Sequence, residues 1–243
     1  MPGMLSRFLE RTFRSTEEAN RRAILALADP RPGGRLLDCG CGDGKFSMAL
    51  AARLEAREVH GIEAVPDRVR SAAGRGMIVA QADLEAHWPY PDGHFDVVHA
   101  NQLLEHLRQS DHFLRELRRV LARGGYALIS TNNLASWHNV VSLMLGFQPP
   151  PMHVSNEVVL GNPLDPLRGH RFGAPEDSHL RIYSFRALRD FAEYHGFRVA
   201  ALRTAGYYPL PPALARMMTR LDRQHGVFLI AKLAPSGPPG SEP

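Results

Sequence analysis

The chain has 243 residues, 44% hydrophobic and 22% charged, with a formal net charge of +4. That balance is ordinary for one soluble α/β domain with some insertions, and no apolar run approaches the roughly 18–20 residues of a membrane span. Met1–Pro2–Gly3–Met4 is followed closely by Arg7, Glu10 and Arg11, so the expected location is the cytoplasm, with no signal-peptide core.

Residues 4–28 carry Leu5, Phe8, Leu9, Ile24, Leu25 and Leu27 at helical spacing and read as one or two helices. Asp29–Pro30–Arg31–Pro32–Gly33–Gly34 stops them. Arg35–Cys39 is a short buried strand, followed by a glycine-rich turn and a helix from Lys45 to Leu54. Glu58–Glu63 is the second strand, and Pro66 opens a helix to about Ala73. Gly76–Gln81 is the third strand and Phe95–Ala100 the fourth, with a turn at Pro89–Gly93 between them. Leu103–Leu121 reads as a helix, Arg123–Gly124–Gly125 as its stop, and Tyr126–Thr131 as the fifth strand. Strand and helix alternate over short links, which predicts a parallel, doubly wound sheet without internal repeats.

The regularity breaks between Asn132 and His179, a long Pro-rich segment holding an apolar helical piece, Trp137–Phe147. A segment of that length is usually functional. Helix resumes from Ser184, a candidate N-cap, to His195. Phe197–Arg203 and Val227–Leu233 are two final strands around a short helix, Ala213–Leu221. Residues 234–243 are Pro, Gly and Ser, and read as a disordered tail after a single domain of residues 1–233.

Gly40, Gly42 and Gly44 place G-x-G-x-G between a strand and a helix. Missing side chains let a ligand approach the backbone, and the helix start offers free N–H groups to it. Glu63 ends the second strand, where an acid can accept both hydroxyls of a ribose. That arrangement is shared with dinucleotide-binding dehydrogenases, and a surface role for Glu63 stays open. Asp38 before the turn, Asp83 after the third strand and Phe95–Asp96–Val97–Val98 running into Asn101–Gln102–Leu103–Leu104–Glu105–His106–Leu107 narrow the choice. Cys39 and Cys41, one residue apart, read as small residues filling the turn rather than a disulfide or zinc knuckle.

These motifs resemble the class I S-adenosylmethionine (SAM)-dependent methyltransferases of the small-molecule group. The match runs through residues 34–132, with the ribose acid at Glu63 and the adenine aspartate at Asp83, followed by Leu84. The resemblance implies a Rossmann-like seven-stranded sheet in order 3-2-1-4-5-7-6, strand 7 antiparallel, with helices on both faces and an insertion after strand 5. It implies SAM across the strands' C-terminal ends, held by Asp38, Gly40, Gly42, Gly44, Glu63, Asp83 and Leu84, with Asn101 near its methionine end. Residues 1–30 would form lid helices and 133–180 the substrate-side insertion.

A hydroxyl acceptor usually needs a base or a metal to take its proton. Glu105, His106 and His179 are the candidates. Residues 177–184 resemble the segment that follows the fifth strand in ubiquinone-pathway and small-RNA O-methyltransferases. In the RNA enzymes two Glu and two His hold a divalent metal; here the first Glu position is Gln102, so a metal stays open. His138, His153 and His170 read as surface or loop residues, and Trp137, Phe147, Tyr207 and Tyr208 as core or as pocket lining. The expected acceptor is a hydroxyl of a small molecule or, from a loose similarity of residues 130–147 to methyltransferases encoded beside polysaccharide enzymes, of a sugar or glycan precursor. An N- or C-methyltransferase and a non-catalytic SAM-binding module are the alternatives. Basic residues are nearly all Arg, with Lys only at Lys45 and Lys232, and form no dense run with aromatics, so a nucleic-acid partner is not expected.

Overall fold

The computed structural model describes residues 4–165, 167–173 and 178–237. Asp177, and the part of the expected tail beyond residue 237, lie outside the described residues. The strands are β1 (Arg35–Cys39), β2 (Glu58–Glu63), β3 (Ile78–Gln81), β4 (Phe95–Asn101), β5 (Leu121–Asn132), β6 (Phe197–Ala205) and β7 (Phe228–Pro235). The helices are α1 (Met4–Leu27), α2 (Lys45–Leu54), α3 (Pro66–Ala73), α4 (Ser110–Val120), α5 (Trp137–Met144), α6 (Phe185–Tyr194) and α7 (Pro212–Leu221). One seven-stranded sheet runs β3-β2-β1-β4-β5-β7-β6. Strands β1 to β5 pair in parallel, and β7 is antiparallel to both its neighbours. This is the expected order.

Adjacent residues on the central strands feed opposite faces, as a period of two requires. Leu37, Val98 and Ile129 join a core with Phe113, Leu117 and Leu188 beneath α4 and α6. Their neighbours Leu36, Val97 and Leu128 join a second core with Ile24, Leu50 and Leu54 beneath α1 and α2. Both faces of the middle strands are therefore buried, which is why β1 and β4 read as apolar runs rather than alternating ones.

α1 is one continuous helix whose buried stripe changes character along its length. Ile24 and Leu27 pack into the core, whereas Thr12, Thr16 and Asn20 are buried polar residues. The threonine hydroxyls donate to carbonyls of the preceding turn, Thr12 to Leu9 at 2.9 Å and Thr16 to Thr12 at 2.9 Å. In the upper, N-terminal half of the helix these hydroxyls are thus satisfied within the helix itself, and Thr16 lays its methyl against Gly206.

Among the boundaries that differ from the sequence expectation, three have a clear physical reason. Helix α4 begins at Ser110, not Leu103, because the backbone of the 103–109 segment is spent elsewhere. The Glu105 carbonyl accepts from the Leu180 N–H (2.7 Å), and the Arg108 N–H donates to Glu85 (2.5 Å). Arg123–Gly124–Gly125 lies inside β5 rather than ending a helix, with Gly124 at φ 77°. A Cβ on Gly125 would meet the Asp96 carbonyl at 2.8 Å, so only glycine permits that pairing. Finally, β7 runs to Pro235 and the Ser236 N–H donates to the Gly196 carbonyl (2.9 Å), so residues 234–236 belong to the fold, not to a tail. Ser184 caps α6 as expected, its Oγ accepting from the Ala187 N–H at 3.3 Å.

Candidate active site

The turn after β1 brings Gly40, Gly42 and Gly44 to φ 70°, 57° and 77°, the left-handed region that favours glycine. The three do different work. A Cβ on Gly44 would meet Met77 Sδ at 2.7 Å, so that glycine lets α2 and α3 close together. A Cβ on Gly40 would come within 3.3 Å of Leu103, whereas one on Gly42 would meet nothing within 4 Å. Gly42 therefore faces open space at the C-terminal edge of the sheet, where open α/β sheets take ligands.

The acids around the turn are buried and engaged. Glu63 Oε2 accepts from the Gly42 N–H (2.9 Å) and Oε1 from the Val65 N–H (3.0 Å), so the carboxylate holds the turn from the tip of β2. Asp38 accepts from Ser47 Oγ (2.5 Å) and from His99 Nδ1 (2.8 Å) beneath the turn. Asp83 lies exposed beyond β3, with Oδ1 accepting from the Glu85 N–H (2.9 Å), and Leu84 beside it is buried. Burial pushes the Cys41 thiol up to about 12, so it stays protonated and fills the space that Gly61 leaves open.

Asn101, at the tip of β4, accepts from Asn20 Nδ2 of α1 (2.8 Å). Asn20 Oδ1 accepts in turn from Ser130 Oγ of β5 (2.7 Å). Nothing in the sequence motifs signals Asn20. The helical stripe Thr12–Thr16–Asn20 was the available sign, three polar residues at core spacing.

The fold brings Glu105, His106 and His179 together, with ligand atoms within 4.8 Å of one another. Glu105 is fully buried, and its carboxylate accepts from Thr131 Oγ1 (2.7 Å) and Asn132 Nδ2 (3.0 Å) at the end of β5. Burial raises its pKa. His106 Nδ1 lies 3.2 Å from the Ser178 carbonyl and His179 Nδ1 lies 2.9 Å from the Pro151 carbonyl. A carbonyl can only accept, so both rings carry the proton on Nδ1 in their neutral form and present Nε2 as the basic nitrogen. Burial pushes His179 down to about 4, which keeps it neutral near pH 7. His153 stacks on His179 at 4.5 Å and its Nδ1 accepts from the His179 N–H (3.0 Å). It is thus a half-buried part of this cluster rather than a surface residue. Gln102 takes φ 52° and donates from Nε2 to Ser130 Oγ (3.3 Å).

His138 also departs from a surface reading. It lines a cavity of about 460 Å³ with Trp137, Phe147, Tyr207 and Tyr208. His170 is exposed, as expected for a loop. A larger groove of about 1050 Å³ lies at the opposite end of the sheet, against Arg123, Arg198 and Lys232, away from the glycine turn.

The sheet order, the glycine turn and the acids at the tips of β1 and β2 define the class, a SAM-dependent methyltransferase domain. The family profile described as a methyltransferase domain matches residues 10–202, and the chain belongs to that family. It is 36% identical over 119 residues to the 27-O-demethylrifamycin SV methyltransferase of Amycolatopsis mediterranei, covering 45% of this chain and 43% of that protein. It is 34% identical over 112 residues to the ajmaline N-methyltransferase of Rauvolfia serpentina, covering 42% of this chain and 37% of that protein. The chain thus spans less than half the length of these curated relatives in the matched stretch. Among solved structures, a SAM-dependent methyltransferase from Mesorhizobium loti shares the fold at TM-score 0.59 and 18% identity, over 88% of this chain and 97% of that one. SAM is the cofactor of this class. Open space at Gly42, with a buried carboxylate beside it, fits such a ligand. Among the described residues no helix is long and apolar enough to cross a membrane.

Proposed function

We propose that the chain transfers the methyl group of SAM to a hydroxyl of a small molecule, with His179 or His106 taking the hydroxyl proton. The observation that carries this reading is the Glu105–His106–His179 cluster, with both imidazoles oriented through Nδ1 by backbone carbonyls so that Nε2 is the basic nitrogen. Relatives named as O- and as N-methyltransferases match this chain, so their names leave the acceptor atom to the site chemistry.

Bound SAM supplies an electrophilic methyl carbon on a sulfonium. Glu63 and Asp83 would hold the ribose and adenine, Gly40, Gly42 and Gly44 would let the backbone approach, and Asp38, Leu84 and Asn101 would complete the cofactor wall. α1 would act as a cover, tied down through Asn20. Transfer of that methyl to the acceptor oxygen would break the carbon–sulfur bond, its electron pair staying on sulfur. The hydroxyl proton passes to a histidine Nε2, and Glu105 stabilises the imidazolium beside it. One carboxylate and two imidazoles also suit a divalent ion, although both Glu105 oxygens already accept hydrogen bonds. We place the protein in the cytoplasm, where the unpaired thiols Cys39 and Cys41 stay reduced.

The test is turnover with radiolabelled SAM across an acceptor panel, with and without EDTA. For the acceptor that wild type methylates, His179→Ala is expected to lower turnover by roughly 10²–10⁴-fold while leaving S-adenosylhomocysteine affinity unchanged. Undiminished turnover would count against the base assignment, and loss with EDTA would favour the metal-assisted route.

A further inference from the structure

The 460 Å³ cavity is walled by α5, the loop after β6, residues of the insertion and Leu9 of α1. Its lining is almost wholly apolar, and its mouth is rimmed by exposed Val141, Leu145 and Leu164. Within it stand two side chains with unmet hydrogen-bonding capacity. His138 Nδ1 and the Tyr208 hydroxyl are buried and have no hydrogen-bond partner. The two rings meet edge to face at 5.6 Å. Other described side chains carry an orphaned buried atom, but only these two line this cavity.

A buried polar atom left unpaired is costly, and a core is better served by apolar residues of the same shape. Both atoms are sealed from the open space of the cavity, so a ligand's polar group would satisfy them once the His138 or Tyr208 side chain turns to face it. Small-molecule sites have this composition, a mostly apolar cleft of about 300–1,000 Å³ with a few placed polar groups. The two groups are complementary as neutral partners. Burial pushes His138 down to about 4 and Tyr208 up to about 12, so an uncharged imidazole stands beside a protonated phenol near pH 7.

The cavity sits under the same helix as the cofactor edge. Phe13 of α1 packs on Tyr208 at 6.0 Å, and Asn20 of α1 binds Asn101 at the tip of β4. Seven residues of helix separate those contacts, about 10 Å. One helix thus touches both the cavity wall and the tip of β4.

We infer that this cavity is the acceptor pocket, and that the acceptor is an apolar, ring-bearing molecule with a hydroxyl or carbonyl oxygen received by His138 and Tyr208. The inference rests on the methyl-transfer reading for the word acceptor, but not for the existence of the site. It weighs against a sugar or glycan, whose many hydroxyls would lie unpaired against Val141, Leu145 and Phe147.

1-Naphthol and naphthalene test it, because they share a ring system and differ by the oxygen. Calorimetric titration of the full chain is expected to show naphthol binding roughly tenfold or more tighter than naphthalene, the factor that one buried hydrogen bond supplies. Tyr208→Phe and His138→Leu should each reduce that preference while naphthalene still binds, and saturating S-adenosylhomocysteine should leave naphthol bound. Equal affinity for the two probes in wild type, an unchanged preference in both variants, or displacement by S-adenosylhomocysteine would overturn the inference. Binding of S-adenosylhomocysteine without a naphthol preference sinks this inference alone. A naphthol preference without S-adenosylhomocysteine binding sinks the methyl-transfer reading and leaves the apolar ligand site in place.

Discussion

His138 and His179 are held in environments that oppose their charged form, and this links the site to acid stability. Burial brings each down from 6.5 to about 4. A depressed histidine means that the unfolded chain binds the proton more readily than the folded one. Its contribution is complete above about pH 6.5 and is lost as pH falls toward 4. For His138 the full loss is about 3 kcal/mol at 1.36 kcal/mol per pKa unit. The unfolding free energy from urea titrations should be lower at pH 4.5 than at pH 7.5 by at least that order in wild type, and the drop should be smaller in His138→Leu. An identical acid loss in the variant would show that His138 is not responsible. Several of these residues were not legible in the sequence for a plain reason. The glycine turn is contiguous, so its geometry follows from adjacent residues. His138, His153 and Tyr208 acquire meaning only when the fold places them against a cavity or against each other.

At the scale of elements, α1 was legible as a helix but its partner was not. Asn20, at the end of the polar stripe Thr12–Thr16–Asn20, met the tips of β4 and β5 only once the sheet was built. Asn20→Ala removes a double hydrogen-bond bridge, leaving the Ser130 hydroxyl proton without its acceptor and Asn101 Oδ1 without its Asn20 donor. The expected cost is about 1–3 kcal/mol in urea stability, with faster amide exchange along the upper half of α1. Stability and exchange equal to wild type would mean that α1 is held by Ile24 and Leu27 alone. The start of α4 shows the opposite limit. The apolar spacing of Leu103, Leu104 and Leu107 reads as helix, but Glu105 binds β5 and the 180 segment, and tertiary contacts override local propensity. That unwinding is also what brings Glu105 and His106 to His179.

Across the whole molecule, strand periodicity and short links carried the parallel, doubly wound class, and the resemblance to the methyltransferase family carried the sheet order. The donor side of the site follows from that order, since the turn after β1 and the tip of β2 must be neighbours. The acceptor side depends on an insertion whose path no periodicity dictates. The domain's central commitment is therefore to the ligand at the glycine turn. Titration calorimetry of wild type and Glu63→Gln with S-adenosylhomocysteine, and of wild type with NAD, measures it. Wild type is expected to bind S-adenosylhomocysteine and give no heat with NAD, and Glu63→Gln to weaken the former by roughly tenfold or more, the worth of a charge-assisted hydrogen bond to a ribose hydroxyl. Binding of NAD in preference to S-adenosylhomocysteine, or an unchanged affinity in Glu63→Gln, would contradict it.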